Sequence, residues 1–453
     1  QLYNALRMKG NILRTIALWV GGLILALFTQ YAYAITFAKT YGGTDKGVAR
    51  FVQQTSDGGY IVVGSTDFFS AGSSDVLLIK TDAKGNIQWA KTYGGKVSEG
   101  ASSVRQTTDG GYIVAGFTTS FGAGKWDIFL IKTDANGNVQ WAKTYGGTDD
   151  EFASSVQQTS DGGYIVAGYT SSFGSGELDI FLIKTDAKGN IQWAKTYGGT
   201  DDEFAYSVQQ TSDGGYIVAG YTSSFGEDGD ILLIKTDANG NIQWAKTYGG
   251  ESSERAYSVQ QTSDGGYIVA GYTYSFGEGW KDIFLIKTDA KGNIIWTKTY
   301  GGEVDDGASS VQQTSDGGYI VAGYTASFGG SWYDIFLIKT DAKGKIQWAK
   351  TYGKTDDIHK EIPSVQQTSD GGYIVAGFTG SFGAGGVDIF LIKTDAKGNI
   401  GSCSIVQDAS PIVNNAPFAV TSQSPSVSSP SFNVNSVSPT VKSLNLTVSA
   451  PCP

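Results

Sequence analysis

Histidine occurs once in the 453 residues, at His359, methionine once, at Met8, and cysteine twice, at Cys403 and Cys452. A Ser-His-Asp or Cys-His nucleophile would have to use His359. That residue stands in a divergent loop, Thr355-Asp356-Asp357-Ile358-His359-Lys360-Glu361, and reads as a solvated loop histidine. Two thiols without histidine neighbours cannot build a zinc site. In an oxidising compartment Cys403 and Cys452 are expected to form one disulfide, with pairing to another chain as the alternative. Only 17% of residues are charged, with 43 acids against 33 bases. An acidic chain with no basic cluster is a poor match for nucleic acid or anionic lipid. The one apolar run, Ile16 to Phe28, is shorter than the about 20 residues a membrane span needs. Proline is scarce, and seven of its eight copies follow Gly401.

The apolar run follows Met8, Lys9 and Arg14 and precedes Ala32-Tyr33-Ala34. A charged start, an apolar stretch and a small-residue cleavage site are the parts of a secretory signal. Residues 1–34 are therefore expected to be a start-site extension plus signal peptide, with an uncleaved anchor as the alternative. The protein is expected to be secreted, periplasmic or at the cell surface, with no stable membrane span after cleavage.

What the chain has in plenty is glycine, 63 residues, and aromatics, 13%. That mix fits many short strands joined by tight turns. The string Asp-Gly-Gly-Tyr-Ile-Val occurs seven times, with its first glycine at Gly58, Gly110, Gly162, Gly214, Gly265, Gly317 and Gly371. Each unit contains four strand patterns, for example Ser-Val-Gln-Gln-Thr, Tyr-Ile-Val-Ala-Gly-Tyr-Thr, Asp-Ile-Phe-Leu-Ile-Lys-Thr and Ile-Gln-Trp-Ala-Lys-Thr-Tyr. Glycine stands at the hairpin positions where other side chains strain. Four antiparallel strands per repeat predict the blades of a propeller.

The two ends of the array decide how it closes. The last unit stops at Ile400 without a fourth strand, and an orphan fourth strand, Ile35 to Tyr41, precedes the first unit. The prediction is an all-β, seven-bladed β-propeller of four-stranded antiparallel blades over residues 35–400, closed by the N-terminal strand that completes the last blade. An open solenoid would leave two raw sheet edges. Phe37 takes the place held elsewhere by Trp89, Trp141, Trp193, Trp244, Trp296 and Trp348, aromatics expected to be core.

The repeat resembles the secreted propeller repeats of bacteria and archaea, including the delta-60 type, which share an Asp-Gly-Gly-x-Ile-Val-x-Gly core. That resemblance implies architecture and is nearly silent on activity. Asp186-Ala187-Lys188-Gly189-Asn190-Ile191-Gln192-Trp193 is similar to the tryptophan-docking motif of quinoprotein dehydrogenases, with a turn one residue shorter. Thr159-Ser160-Asp161-Gly162-Gly163 is similar to the Asp-box of sialidases, a turn device. Neither carries over a catalytic residue, and no cofactor is expected beyond calcium.

Antiparallel order puts the loops between strands two and three, and from strand four to the next blade, on one face. These loops vary among the copies, so that face is the candidate functional face. It carries acids at Asp149, Asp150, Glu151, Asp201, Asp202, Glu203, Glu303, Asp305 and Asp306. They read either as solvated polar loops or as carboxylates crowded enough to hold calcium or attract a cationic partner. The face also carries Trp126, Trp280, Trp332 and Tyr333, either a contact surface for protein or carbohydrate or packing within their own loops. Residues 401–453 form a Pro/Ser-rich tail, an extended linker or a small strand-rich patch tied by Cys403 and Cys452. The expected function is a non-enzymatic scaffold that binds a protein or glycan at the cell envelope. The alternative is a hydrolytic, carbohydrate-active propeller using loop carboxylates.

Overall fold

A computed structural model describes residues 35–451 apart from 45, 68–69, 227, 331–332, 354–362, 384–385 and, in the tail, 425, 429–432, 437, 439 and 445–446. The expected signal segment, His359, Trp332 and Cys452 lie outside the described residues.

The seven repeats fold as seven antiparallel blades. The third blade is representative, with strands Glu151–Gln158, Tyr164–Thr170, Asp179–Thr185 and Ile191–Gly198. Its first hairpin turns on Gly162, at φ +84°, a conformation that side chains strain to adopt. Asp161 holds that turn. Its Oδ1 accepts from Thr159 Oγ1 and Gly163 N–H, and its carboxylate pairs at 2.8 Å with the buried Lys184 ammonium of the third strand. Lys184 also donates to Thr185 O, so a buried charge is compensated rather than left bare.

Strands two and three are buried along their length, not on alternate residues. Each blade is covered on both faces by its neighbours, and a sheet packed on both sides reads as a continuous apolar run. In the third blade Tyr164, Val166, Phe181 and Ile183 pack toward blade two, while Ile165, Ala167, Ile180 and Leu182 pack toward blade four.

The fourth-strand aromatics divide the work differently from the sequence expectation. The fully buried ring is the tyrosine. Tyr93 donates to Gly137 O of the next blade at 2.7 Å, and Tyr41, Tyr145, Tyr197, Tyr248, Tyr300 and Tyr352 each make the equivalent bond. The tryptophans are only half-buried. Trp89 packs against the next blade's turn, where any side chain at Gly137 would meet its ring at 2.9 Å.

The ring closes as the spare strand requires. Phe37–Gly42 pairs antiparallel with Asp388–Thr394 of the seventh blade, in register from Phe37 opposite Lys393 to Tyr41 opposite Ile389. Glutamines stitch the inner rim across the same seam. Gln54 N–H donates to Gln366 Oε1 at 2.6 Å, and Ser369 N–H donates to Gln54 Oε1 at 2.9 Å.

The tail is neither a linker nor a local patch. It adds a fifth strand to every blade, so each sheet has five strands. Val406–Asp408 pairs with blade six, Ile412–Asn414 with five, Ala419–Gln423 with four and Ser426–Ser428 with three. Asn433–Ser436, Thr440–Ser443 and Thr447–Ser449 then continue to blades two, one and seven. The tail thus circles the propeller against the direction of the blades. Phe418 anchors it, its ring 4.8 Å from Phe276 and 5.5 Å from Phe284, and Leu444 enters the core cluster around the closing strand. Cys403, packed beside blade six, is disulfide-bonded.

Candidate functional site at the channel mouth

The first strands of all seven blades surround a central cavity of about 550 Å³. Its wall is mostly serine and glutamine, because the Ser-Val-Gln-Gln pattern puts these residues on the inner strand of each blade. The glutamine side chains are spent on the fold. Each Oε1 accepts a backbone N–H of the next blade, as Gln53 does from Gln106 at 2.7 Å and Gln260 from Gln313 at 2.6 Å.

On the variable face, aromatic rings form an unbroken arc across blades two to five, and a lysine links it to a further pair of rings in blade six. Phe117, Trp126 and Phe152 are mutual neighbours, with centroids 4.6 to 5.2 Å apart. Phe152 stacks on Tyr169 at 5.0 Å, and Tyr169 meets Phe204 at 4.9 Å. Phe204 continues to Tyr206 and Tyr221, Tyr206 to Tyr257 at 4.7 Å, Tyr257 to Tyr272 and Tyr272 to Tyr274. Two cations are set into the arc. Arg255 lies 4.5 Å over Tyr221, and Lys281 lies 4.0 Å over Tyr272 and 6.0 Å from Tyr324, whose ring meets Tyr333. Most of the rings are half-buried, and Phe117, Phe152, Tyr206 and Tyr257 line the cavity itself.

Of the aromatics that the sequence singles out, Trp126 and Tyr333 belong to this arc. Trp280 is 83% exposed and makes no ring contact among the described residues. Sequence reasoning missed Phe117, Phe152, Tyr169, Phe204, Tyr206, Tyr221, Tyr257 and Tyr272. The signal was available, because position 152 of the repeat is valine in blade one and glycine in blades two and six, but phenylalanine in blades three and four.

The loop acids do not act as one group. Glu151, Glu203 and Asp306, the last acid of each run, are fully buried braces. Glu151 accepts from Gly147 N–H at 2.7 Å and Thr170 Oγ1 at 2.6 Å, tying the loop to the end of strand two. Glu203 makes the same two bonds, and Asp306 accepts from Gly302 N–H and Ser327 Oγ. Each faces a second buried carboxylate at the start of strand three. Asp179 Oδ1 and Glu203 Oε2 both lie within 3 Å of the point where a side chain on Gly198 would begin. Burial raises the pKa of Asp179, and the Glu203 charge adds to it. Burial also raises Glu151 and Asp306, and it pushes Asp282, beside Asp306, up to about 6. Asp149, Asp201 and Glu303 are exposed, while Asp150, Asp202 and Asp305 are half-buried. The nine acids therefore separate by depth within each loop. Among the described residues, no three His, Cys, Asp or Glu side chains come together as a metal site.

Paired carboxylates for glycoside hydrolysis would have to face a cavity. The described lining of the channel contains no acid, and the carboxylate pairs Asp179–Glu203 and Asp282–Asp306 are sealed inside the blades.

The model of the family described as holdfast attachment protein D matches residues 93–329. The chain is also similar to the regulatory protein FlaEY of Caulobacter vibrioides, 27% identical over 48% of this chain and 25% of that protein. It is 28% identical to an uncharacterised WD repeat-containing protein of Acanthamoeba polyphaga mimivirus, over 41% of this chain and 17% of that protein. The chain thus spans a quarter or less of the curated relatives it matches. Among solved structures, Chaetomium thermophilum Sqt1, bound to the N-terminus of ribosomal protein L10, is 12% identical with a TM-score of 0.45, covering 79% of this chain and 98% of that one. A Dyadobacter fermentans protein of unknown function is 11% identical with a TM-score of 0.42, over 79% and 97%.

Proposed function

The chain belongs to the holdfast attachment protein D family, and from that premise we propose that it is a non-enzymatic cell-surface propeller that binds a glycan through the aromatic arc at its channel mouth. The observation that supports this most is the continuity of the arc. Rings from blades two to five follow one another in stacked, tilted and T-shaped contacts, half-buried beside a cavity. Flat apolar faces with a polar rim suit a pyranose ring, which is apolar on its faces and hydroxylated at its edge. The serine hydroxyls of the wall offer hydrogen bonds to those of the sugar. A rigid sheet scaffold holds the rings in place, so little side-chain freedom is lost on binding. On this reading the exposed acids Asp149, Asp201 and Glu303 keep the face soluble.

Retention of the protein on immobilised envelope polysaccharide, measured for the wild type and for Trp126→Ala and Tyr257→Ala, tests the proposal. Both variants should lose most of their retention while melting within a few degrees of the wild type. Unchanged retention in both would overturn it.

A further inference from the structure

The described lining of the channel carries cationic side chains only in blades one and two. Arg105 stands where the other blades have Gln53, Gln157, Gln209, Gln260, Gln312 and Gln366. Phe51 stands where the others have serine, and its neighbour Arg50 replaces a serine, tyrosine or proline. All three line the central cavity. The Arg105 guanidinium lies 4.1 Å over the Phe51 ring of the preceding blade, which fixes its plane. Arginine has no acceptor atom. The bond that Gln158 N–H would donate to a glutamine Oε1 at position 105 is therefore given up, although the six other glutamines each accept theirs.

We propose that Arg105, oriented by Phe51, is a carboxylate-binding subsite, and that the glycan held at the channel mouth carries a uronic acid. This rests on the glycan-binding reading and names the sugar's charge. Among the described residues Arg105 has no ion-pair partner, and the described cavity lining contains no carboxylate to neutralise it. Burial pushes its pKa down to about 10, still far above neutrality, so the half-buried guanidinium stays charged against the Phe51 ring. A planar guanidinium in such a place favours a planar anion, which it binds through two parallel hydrogen bonds. Tyr206 and Tyr257 line the same cavity and supply ring faces for the sugar. A cavity of about 550 Å³ lies within the size range of small-ligand sites.

The net charge of −10 acts against an anionic ligand at long range. Surface charges are screened beyond about 8 Å at physiological ionic strength, whereas a contact inside the cavity is screened far less. The local pair therefore outweighs the distant repulsion at 0.15 M salt, and low salt should weaken binding.

Calorimetry with trigalacturonic acid and with its neutral methyl ester tests this. The acid should bind the wild type at least about ten-fold more tightly than the ester. Arg105→Gln restores the residue of the other blades, so the variant should fold. It should lose that preference while its affinity for the ester stays within about two-fold. Phe51→Ser, which places the serine of the other six blades and removes the ring under the guanidinium, should reduce the preference if Arg105→Gln fails to fold. Equal wild-type affinity for acid and ester would overturn the carboxylate subsite and leave the glycan reading standing. Binding of neither would overturn both. Tighter binding of an acidic tripeptide than of the uronate would assign the channel to a protein partner and overturn the proposal.

Discussion

Asp282→Asn should make the protein more stable at pH 7 and leave its stability unchanged at pH 4. Asp282 is 1% exposed, and its Oδ2 accepts from Gly279 N–H at 2.9 Å. Its Oδ1 crowds Gly301 together with Asp306 Oδ2. Burial first, and then the Asp306 charge, pushes its pKa up to about 6. A carboxyl whose folded pKa exceeds its unfolded value stabilises the fold fully below the unfolded pKa. That contribution is lost as pH rises through the folded pKa. At roughly 1.4 kcal/mol per pH unit, the difference between about 4 unfolded and about 6 folded weakens the fold at pH 7 by about 3 kcal/mol. Asparagine has nearly the same shape, keeps an acceptor for Gly279 and offers Asp306 a donor. With an unfolding entropy of about 2.1 cal/mol/K per residue over roughly 400 residues, the gain at pH 7 is about 3 to 4 °C in Tm. Scanning calorimetry of both proteins at pH 7 and pH 4 measures it. A lower Tm for the variant at both pH values would show that the fold needs the negative charge, and would refute the reasoning.

The same linkage predicts that the wild type melts highest between about pH 4 and pH 6. Acidification from pH 7 favours the raised group Asp282, while the lowered aspartates Asp161 and Asp213, at about 2, lose stabilisation only as pH falls below about 4. Removing residues 36–42 should lower Tm by several degrees or cause aggregation, because it bares the edge of Asp388–Thr394 and removes the bond from Tyr41 to Gly85 O. Gly198→Ala should destabilise by more than about 2 kcal/mol, since its methyl group would sit 1.8 Å from Asp179 Oδ1; an unchanged denaturation midpoint would contradict that packing. Truncation after Ile400 should lower Tm and expose Phe276 and Phe284, read as increased binding of a hydrophobic dye.

The blades were legible because four strands, their hairpin glycines and the spare first strand are all written locally and repeated. The depth of the side chains was not. In Asp149-Asp150-Glu151 the three acids read alike, but Glu151 begins strand one with its side chain turned inward, and the preceding two stay on the loop. Period-two direction separates a buried brace from solvated acids, and it depends on where the strand starts. The aromatic arc was hidden for another reason. Its members come from the start of strand one, the end of strand two and the loop before strand three of successive blades. Most of them become neighbours only when successive blades pack against each other. Arg105 was readable by laying the seven copies over one another, where it is the sole break in a column of glutamines.

The tail shows how a strong signal escapes a search for hydrophobic alternation. Val406, Val413, Val420, Val427, Val434, Val441 and Val448 are spaced seven residues apart without exception. In register they stand opposite Tyr352, Tyr300, Tyr248, Tyr197, Tyr145, Tyr93 and Tyr41, one pair per blade. Val413 and Val420 are 38% and 40% exposed, so burial does not select valine there. Its preference for extended backbone does. Strands of three to five residues are too short for an alternating pattern, which is why the stretch resembles a linker. The period is set by the step from one blade to the next, a distance that seven extended residues can span at roughly 3.3 Å each. A repeat in the tail that matches the propeller in number, though not in length, therefore marks a segment whose partner is the outer edge of every blade.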